Sequence, residues 1–280
     1  RGPLPLAVPE LPGPRSLGRR GDRGIGRAGV ADGRDRRGRA VGGRWVVNLS
    51  LFSAPPVPDL SIVQADAIEW VQSLAPESVD LVITDPAYES LEKHRAIGTT
   101  TRLKVSDASS NEWFPIFRND RFPALFAALY RAMKRDSHLY LLCDQETMFA
   151  VKPMGEAAGF KFWKPLVWDK KRIGMGYHYR ARYEFVLFFE KGKRRLDDLG
   201  TPDVLAFDRV QGGYPTEKPV ELLRVLVGQS SSPGELVIDP FTGSGSTAEA
   251  ARSMGRKFGG CDVKASAVEL ALARAGRVSP

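Results

Sequence analysis

The sequence contains few of the residues that hold metal ions. It has two cysteines, Cys143 and Cys261, and three histidines, and it contains no C-x-x-C pair. Structural zinc sites are built from cysteine and histidine ligands at short, regular spacings, so the sequence predicts no metal site. Secreted disulfide-rich domains also need more cysteine than this, which favours a reducing cytoplasmic location.

The chain has no long hydrophobic run. None of its apolar stretches approaches the roughly 20 residues that a membrane-spanning helix requires. We therefore expect no membrane span and no membrane partner.

Lysine is absent from residues 1–45, which contain eleven arginines, eleven glycines and four acidic residues. This segment carries 11 − 4 = +7 of the formal net charge of +8, which leaves +1 for residues 46–280. Because it cannot bury enough apolar surface to offset its ordering entropy, we predict a disordered Arg/Gly-rich tail over residues 1–45. Its charges are not followed by an apolar run of about 7–15 residues, which argues against a secretory signal peptide.

Three explanations of this tail are open. The segment is either a solvated extension without function, an arm that binds nucleic acid through arginine–phosphate attraction, or translated leader sequence upstream of the true start. Its richness in glycine and arginine suits the last of these. Deletion of residues 1–45 distinguishes the explanation as a nucleic-acid arm from the other two explanations.

Residues 46–280 alternate short apolar runs with helical periods. This alternation predicts one α/β domain, with a largely parallel twisted sheet and helices on both faces. VDLVIT at 79–84 is typical of a buried strand, and the stripe that begins with Phe122 and Leu125 is typical of a core-facing helix. The long polar stretch 89–120 predicts a mobile functional loop.

Two stretches stand out because polar and glycine residues directly follow buried strands. The strand 79–84 runs into Asp85-Pro86-Ala87-Tyr88. A second strand ends at Asp239, and a turn with Gly243 and Gly245 leads into a helix near Ser246. Asp262 follows nineteen residues beyond Gly243, where an acid can bind a ribose hydroxyl pair. The second pattern predicts a nucleotide-like cofactor, and it fits a G-x-G-x-x-A dinucleotide turn as well as a methyl-donor loop.

Together the two stretches resemble the motifs of the DNA amino-methyltransferases in their permuted β arrangement, in which the catalytic tetrapeptide precedes the cofactor loop. DPAY at 85–88 resembles the family's D-P-P-Y, and DPFTGSG at 239–245 resembles its D-P-F-x-G-S-G. Ala65-Asp66, Tyr183-Glu184 and PTEKP at 215–219 are further matches. The resemblance covers residues 60–275.

This resemblance implies a Rossmann-like methyltransferase fold with circularly permuted motif order, S-adenosylmethionine as cofactor and double-stranded DNA as partner. Members of the family often form homodimers. The resemblance also implies that Asp85 and the Pro86 carbonyl accept the two hydrogens of an exocyclic amino group, and that Tyr88 stacks on a base flipped out of the duplex. Ala87 replaces the family's second proline, which adds an N–H and loosens the turn.

The resemblance implies a cofactor role for seven residues. Asp66 would contact the adenine amino group, Phe241 and the two glycines would surround the methionine moiety, and Asp262 would bind the ribose. Lys218 is predicted to lie in the first turn of a helix over 217–229, as a cofactor lysine or a solvated one. The residues are Asp66, Lys218, Asp239, Phe241, Gly243, Gly245 and Asp262.

Basic residues in two polar segments predict contacts with DNA phosphates. One segment is the loop 89–120, and the other, 170–182, interleaves cations with Tyr177 and Tyr179 as in a groove that follows a nucleic-acid strand. The segments 170–182 and 193–213 are too short for a separate domain and predict a short target-recognition region. The predicted DNA-binding residues are Lys93, Arg95, Arg102, Lys171, Arg172, Arg180 and Arg182.

Adenine N6 is the favoured target, because an acid in the tetrapeptide leans toward adenine in this family and a serine toward cytosine. Cytosine N4 remains an alternative. From other classes, the alternatives are a dinucleotide-dependent oxidoreductase, which leaves DPAY unexplained, and a non-enzymatic nucleic-acid-binding protein that acts through the tail.

Overall fold

The computed structural model describes residues 58–90, 115–174, 178–211 and 216–277. All of these lie in one compact unit, Ala54–Pro280. Within the described residues one sheet contains eight strands: β1 (Leu60–Gln64), β2 (Val79–Thr84), β3 (Met133–Cys143), β4 (Lys161–Asp169), β5 (Tyr183–Lys191), β6 (Val204–Ala206), β7 (Leu236–Asp239) and β8 (Lys257–Asp262). Their order across the sheet is β1-β8-β7-β2-β3-β5-β4-β6.

The sheet is largely parallel, as the sequence predicts. Only β5 runs antiparallel to its neighbours β3 and β4, and the remaining pairings are parallel. Because of this reversal, the first residues of β5 lie at the same edge as the last residues of the other strands. Cys143 at the end of β3 and Asp169 at the end of β4 pair with Phe185 and Tyr183.

Helices cover both faces of the sheet. The described helices are α1 (Ala67–Ser73), α2 (Phe122–Ala132), α3 (Gln145–Ala157), α4 (Val220–Ser230), α5 (Ser246–Ser253) and α6 (Ala265–Ala275). Side chains of α1, α2 and α3 form one core with Val79 and Val82 of β2, whereas those of α4, α5 and α6 form the other with Leu81 and Ile83. The apolar sequence of β2 follows from this burial on both faces.

Two elements begin at positions that differ from the prediction. The apolar run HLYLLC at 138–143 predicts a strand, but the observed strand starts earlier, at Met133, directly after α2. The helix predicted over 217–229 starts at Val220, with Pro219 as an extended N-cap. Lys218 therefore precedes the helix, since a residue before proline is disfavoured in the helical conformation.

The described residues include no helix with both the length and the apolar character needed to cross a membrane. Both cysteines are unpaired and buried. Within the same ranges no cluster of His, Cys, Asp and Glu side chains is arranged to hold a metal ion.

Candidate active site

The candidate site lies at the ends of β2 and β7, which are neighbours in the sheet. The chain continues from β2 to β3 on one side and from β7 to β8 on the other. At such a point, where two neighbouring strands continue in opposite directions across the sheet, a crevice forms outside their carboxyl ends. Ligands of α/β proteins bind in this crevice. A cavity of about 320 Å³ opens at this place. It is lined by nine of the ten predicted catalytic and cofactor residues: Asp66, Asp85, Pro86, Tyr88, Lys218, Asp239, Phe241, Gly243 and Asp262.

The tenth residue, Gly245, is the N-cap of α5 and lies between Ser244 and Ser246, which both line the cavity. Gly243 and Gly245 adopt φ values of 50° and 80°, a left-handed conformation that favours glycine. A Cβ atom on Gly245 would lie 2.7 Å from Cα of Ala271. The turn therefore needs glycine both for its backbone conformation and for close packing on α6.

Asp262 holds the turn from the end of β8. Its carboxylate accepts hydrogen bonds from the N–H groups of Gly243, at 3.1 Å, and Lys264, at 2.9 Å. Each carboxylate oxygen can accept a further hydrogen bond. Asp262 can thus fix the turn and receive a ligand hydroxyl at the same time.

Asp239 joins the two motifs. One of its oxygens accepts hydrogen bonds from the Thr84 hydroxyl and the Phe241 N–H, both at 3.0 Å, and the other accepts from the Thr247 hydroxyl at 2.9 Å. Burial raises the pKa of Asp239 to about 7, although these donors oppose the rise. Asp239 therefore joins the end of β2 to the glycine turn after β7, through a contact between residues that lie 155 positions apart in the chain.

Asp66 caps α1 and also binds an arginine that the sequence patterns did not reveal. Its carboxylate accepts hydrogen bonds from the Ile68 N–H at 2.9 Å and from the Arg121 guanidinium at 2.7 Å. Burial acts to raise the pKa of Asp66, but these hydrogen bonds outweigh it and the pKa is lowered. Arg121 also stacks on Phe117, whose ring contacts Phe241 edge-on at a centroid distance of 4.9 Å.

The tetrapeptide 85–88 is held by the segment that contains Phe117. The Phe117 N–H donates a hydrogen bond of 2.7 Å to the Ala87 carbonyl, and Tyr88 pairs with Phe117 as an isolated bridge. Among the described residues none donates a hydrogen bond to the Pro86 carbonyl. Burial raises the pKa of Tyr88 well above 10, so this residue is a neutral phenol.

Lys218 lies at Asp85. The lysine is buried, its ammonium donates a hydrogen bond to the Asp85 carboxylate, and it lies 3.6 Å from an oxygen of Glu184. Burial acts to lower the pKa of Lys218, but the two carboxylates outweigh it and hold the pKa above its ordinary value. The cofactor role that we predicted for Lys218 stays a prediction.

Glu184 is a second site residue that the sequence analysis did not assign. It reaches the cavity because β5 runs antiparallel, which places the start of this strand beside the ends of β3 and β4. Its carboxylate also accepts a hydrogen bond from Lys170. Burial acts to raise the pKa of Glu184, but Lys218 and Lys170 outweigh it and the pKa is lowered. Its signals in the sequence are the Tyr183-Glu184 match and the position of an acid at the start of an apolar strand.

The predicted DNA-binding residues fall into two groups. Lys93, Arg95 and Arg102 lie outside the described residues, as does most of the loop 89–120. The other four are exposed in the connection between β4 and β5, at the edge of the sheet that carries the cavity. These are Lys171, Arg172, Arg180 and Arg182.

Three of these four cations have partners close by in the sequence or the fold. Arg182 makes two hydrogen bonds of 2.6 Å with Asp169, and Arg180 donates to the Gly174 carbonyl at 2.7 Å. Lys171 lies 3.3 Å from Asp208. No such ion pair involves Arg172 among the described residues.

A sequence profile of DNA methylases of the N6/N4 type matches residues 79–211 and 197–273. The chain belongs to this DNA methylase family. Membership confirms the resemblance of the two motifs and decides against the dinucleotide-dependent oxidoreductase.

Known proteins resemble the methylase over most of its length. Escherichia coli YhdJ, a DNA adenine methyltransferase, is 26% identical over 253 aligned residues, which cover 76% of this chain and 82% of YhdJ. The type II methyltransferase M.HhaII of Haemophilus parahaemolyticus is 24% identical over 204 aligned residues, which cover 71% of this chain and 88% of that protein.

Solved structures share the fold of the methylase. The structure of M1.HpyAVI with S-adenosylmethionine superposes with a TM-score of 0.55 at 21% identity, over 77% of this chain and 99% of that one. The cytosine-N4-specific PvuII methyltransferase superposes with a TM-score of 0.59 at 16% identity, over 78% and 88%. These likenesses confirm the predicted methyltransferase fold.

Proposed function

We propose that this methylase transfers a methyl group from S-adenosylmethionine to the N6 amino group of adenine in double-stranded DNA. The observation that carries the proposal is the position of Asp85, which lines one cavity together with Gly243 and Asp262. The acid favours adenine over cytosine, and the adenine enzyme YhdJ supports the same choice. The fold does not discriminate, since a cytosine-N4 enzyme shares it.

The reaction needs help at the amino nitrogen. Its lone pair is delocalised into the base, which makes it a poor nucleophile, and acceptors for its hydrogens favour a pyramidal, reactive geometry. Asp85 offers a carboxylate and Pro86 a backbone carbonyl, at adjacent positions after β2. Both acceptors also stabilise the positive charge that develops on the nitrogen during transfer.

The cavity suits a positively charged methyl donor. When bound, S-adenosylmethionine supplies an electrophilic methyl group on a cationic sulfur. Six carboxyl side chains and only three cationic ones line the cavity, an excess that favours a cation. We assign Asp262 to the ribose hydroxyls, Phe241 with the glycine turn to the methionine moiety, and Asp66 to the adenine. Asp66 lies next to Asp262, since the Ala65 N–H donates a hydrogen bond of 3.0 Å to the Asp262 carbonyl.

The target base must leave the duplex, because its amino group is otherwise inaccessible, at a cost of a few kcal/mol. Tyr88 lines the cavity two residues after Pro86 and provides a stacking surface. Stacking on an aromatic side chain is worth roughly 1–3 kcal/mol per base, which can offset much of the extrusion cost. The Ala87 carbonyl is already bound by Phe117, and this contact supports the tetrapeptide where the second proline is missing.

We assign the DNA backbone contacts to the connection between β4 and β5. Its four cations extend beside the cavity, and phosphate contacts of this kind position a protein on DNA without carrying sequence information. In the described part of the segment 193–213, residues 193–211, β6 is the only strand or helix. Target recognition is therefore short, relaxed or shared with a second copy. Sedimentation or light scattering with and without DNA tests the homodimer.

The deciding experiment is incubation of purified protein with DNA and isotope-labelled methyl donor, followed by mass spectrometry of the nucleosides. We expect labelled N6-methyldeoxyadenosine, whereas N4-methyldeoxycytidine would move the assignment to cytosine. Asp85→Ala should lower transfer by about 100-fold or more. Asp59→Ala, which removes an exposed acid paired with Lys257, is the matched control and should keep wild-type transfer.

A further inference from the structure

A row of four alternating charges extends from the DNA-side connection to the catalytic carboxylate. Lys170, directly after β4, donates a hydrogen bond to Glu184. Glu184 lies 3.6 Å from the Lys218 ammonium, which in turn donates to Asp85. The four side chains are between 9% and 25% exposed, so their charges are only weakly screened by water.

The described contacts of Lys218 are made with Asp85 and its neighbours and not with the glycine turn after β7. Its ammonium contacts the carboxylates of Asp85 and Glu184 and lies 3.2 Å from the Thr216 carbonyl. No residue of the turn 240–247 is among these described partners. The charge of a buried lysine must be compensated by acceptors of this kind. The Lys218 ammonium lies beside Asp85, the acceptor that the amino group of the base must use.

We propose that Lys218 is a positioning residue for Asp85, which it holds ionised and aimed into the cavity, and that Glu184 sets how much of the lysine's charge Asp85 receives. The inference rests on the proposed function in so far as it assigns the base's amino hydrogens to Asp85. It replaces a cofactor role of Lys218 with an electrostatic role at the catalytic acid.

The two neighbours of Asp85 act on it with opposite sign. Burial raises the pKa of Asp85, Lys218 opposes the rise and Glu184 adds to it. A protonated Asp85 would have only one oxygen left as a full acceptor, so transfer should fail as pH falls through this pKa. The titratable groups that face Asp85 from the elements around it are Tyr88, Cys143, Lys170, Glu184, Lys218 and Asp239.

The experiment compares the pH profile of kcat in three variants. Lys218→Met removes the cation, so the pKa of Asp85 rises and the acidic limb should move to higher pH by about one to three units. Glu184→Gln removes the competing carboxylate, so the limb should move to lower pH. Lys218→Arg keeps the charge and should stay closest to wild type.

Binding of S-adenosylmethionine, measured by calorimetry, separates the two roles of Lys218. We expect Lys218→Met to keep the wild-type Kd for the cofactor within about two-fold while its pH profile shifts. A Kd that rises ten-fold with an unshifted profile would overturn the proposal and make Lys218 a cofactor ligand. An unshifted profile in Glu184→Gln would likewise overturn the role of Glu184, and this variant carries the test should Lys218→Met fail to fold.

A readout without turnover keeps the inference apart from the proposed function. Burial raises the pKa of Asp85 already in the wild type, and without Lys218 the folded protein holds a proton on Asp85 still more tightly relative to the unfolded chain. Stability is then full at low pH and is lost as pH rises, so the deficit in Tm of Lys218→Met relative to wild type should grow between pH 5 and pH 8. A deficit independent of pH would contradict the pairing, whereas a wild-type protein that methylates no base contradicts only the proposed function.

Discussion

The crevice between β2 and β7 and the connection between β4 and β5 lie at the same edge of the sheet, but they hold their side chains in different ways. In the crevice, buried contacts join residues far apart in the chain: Thr84 with Asp239, 155 positions away, and Lys218 with Asp85, 133 away. In the connection, Arg180 binds the Gly174 carbonyl six positions away, and its neighbours are exposed. Methyl transfer requires fixed geometry, whereas a contact to a phosphate backbone tolerates adjustment.

Gly245→Ala tests the rigidity of the crevice and should have the largest effect. The new Cβ would meet the backbone of Ala271 at 2.7 Å, so the turn or α6 must move, and strain of this kind costs about 1–3 kcal/mol. We expect cofactor affinity to fall at least ten-fold, as measured by calorimetry, together with a lower Tm. Gly234→Ala is the matched control, because Gly234 also has a positive φ, 83°, but no atom lies within 4 Å of its added Cβ. Equal losses in both variants would show that the conformation alone matters.

Thr84→Val tests the link between the two motifs. It removes the donor to Asp239 with little change of shape, and we expect a loss of about 1 kcal/mol in the free energy of unfolding. The folded pKa of Asp239, about 7, lies above its ordinary 3.8, so the stability that its neutral form contributes is lost as pH rises from 3.8 toward 7.

The Thr84 hydroxyl lowers the pKa of Asp239, so this pKa is higher in Thr84→Val. The loss of stability therefore continues to higher pH in this variant. Denaturation curves should show a larger penalty at pH 8 than at pH 5. Thr84→Ser retains the hydroxyl and should show a much weaker pH dependence, and a penalty in Thr84→Val that is equal at both pH values would contradict the link.

Arg172→Ala tests the connection between β4 and β5, where contacts to a phosphate backbone tolerate adjustment. If Arg172 contacts a phosphate, DNA affinity should fall a few-fold on all sequences, and the slope of log affinity against log salt should become shallower by about 1. Fluorescence anisotropy at several salt concentrations measures both. The control is Arg135→Ala, an exposed arginine near the start of β3 at the opposite edge of the sheet. An equal change in the control would assign the effect to net charge.

Deletion of residues 1–45 should have the smallest effect on catalysis. The catalytic and cofactor residues all lie beyond position 65, so we expect the shortened chain to keep most of its methyl transfer in the labelled assay. A change confined to the KM for DNA would identify the segment as a nucleic-acid arm. Loss of kcat would show that it belongs to the catalytic machinery.

The sequence predicted those parts of the site that depend on short stretches of chain. DPAY and the glycine turn could be recognised because each combines a buried strand with the residues that end it, and such local patterns survive without knowledge of the fold. Arg121 was missed, since nothing near it in the sequence marks it, and Glu184 was recognised as part of the Tyr183-Glu184 match but given no role. Lys218 was found through its motif but placed inside a helix that in fact starts at Val220. Its contact with Asp85 was not foreseen, because the two residues lie 133 positions apart in the chain.

The sequence by itself determined the strands that end in the two motifs, the motifs DPAY and DPFTGSG themselves, and the family. It could do so because hydrophobic periodicity and turn chemistry act over a few residues. Only the tertiary structure decided which charges meet. The antiparallel course of β5 brings Glu184 to the edge where β2 ends, and burial there makes each carboxylate depend on the lysine beside it. Electrostatic interactions in a crevice depend on distance through space and on exclusion of water, and neither quantity can be read from the order of residues along the chain.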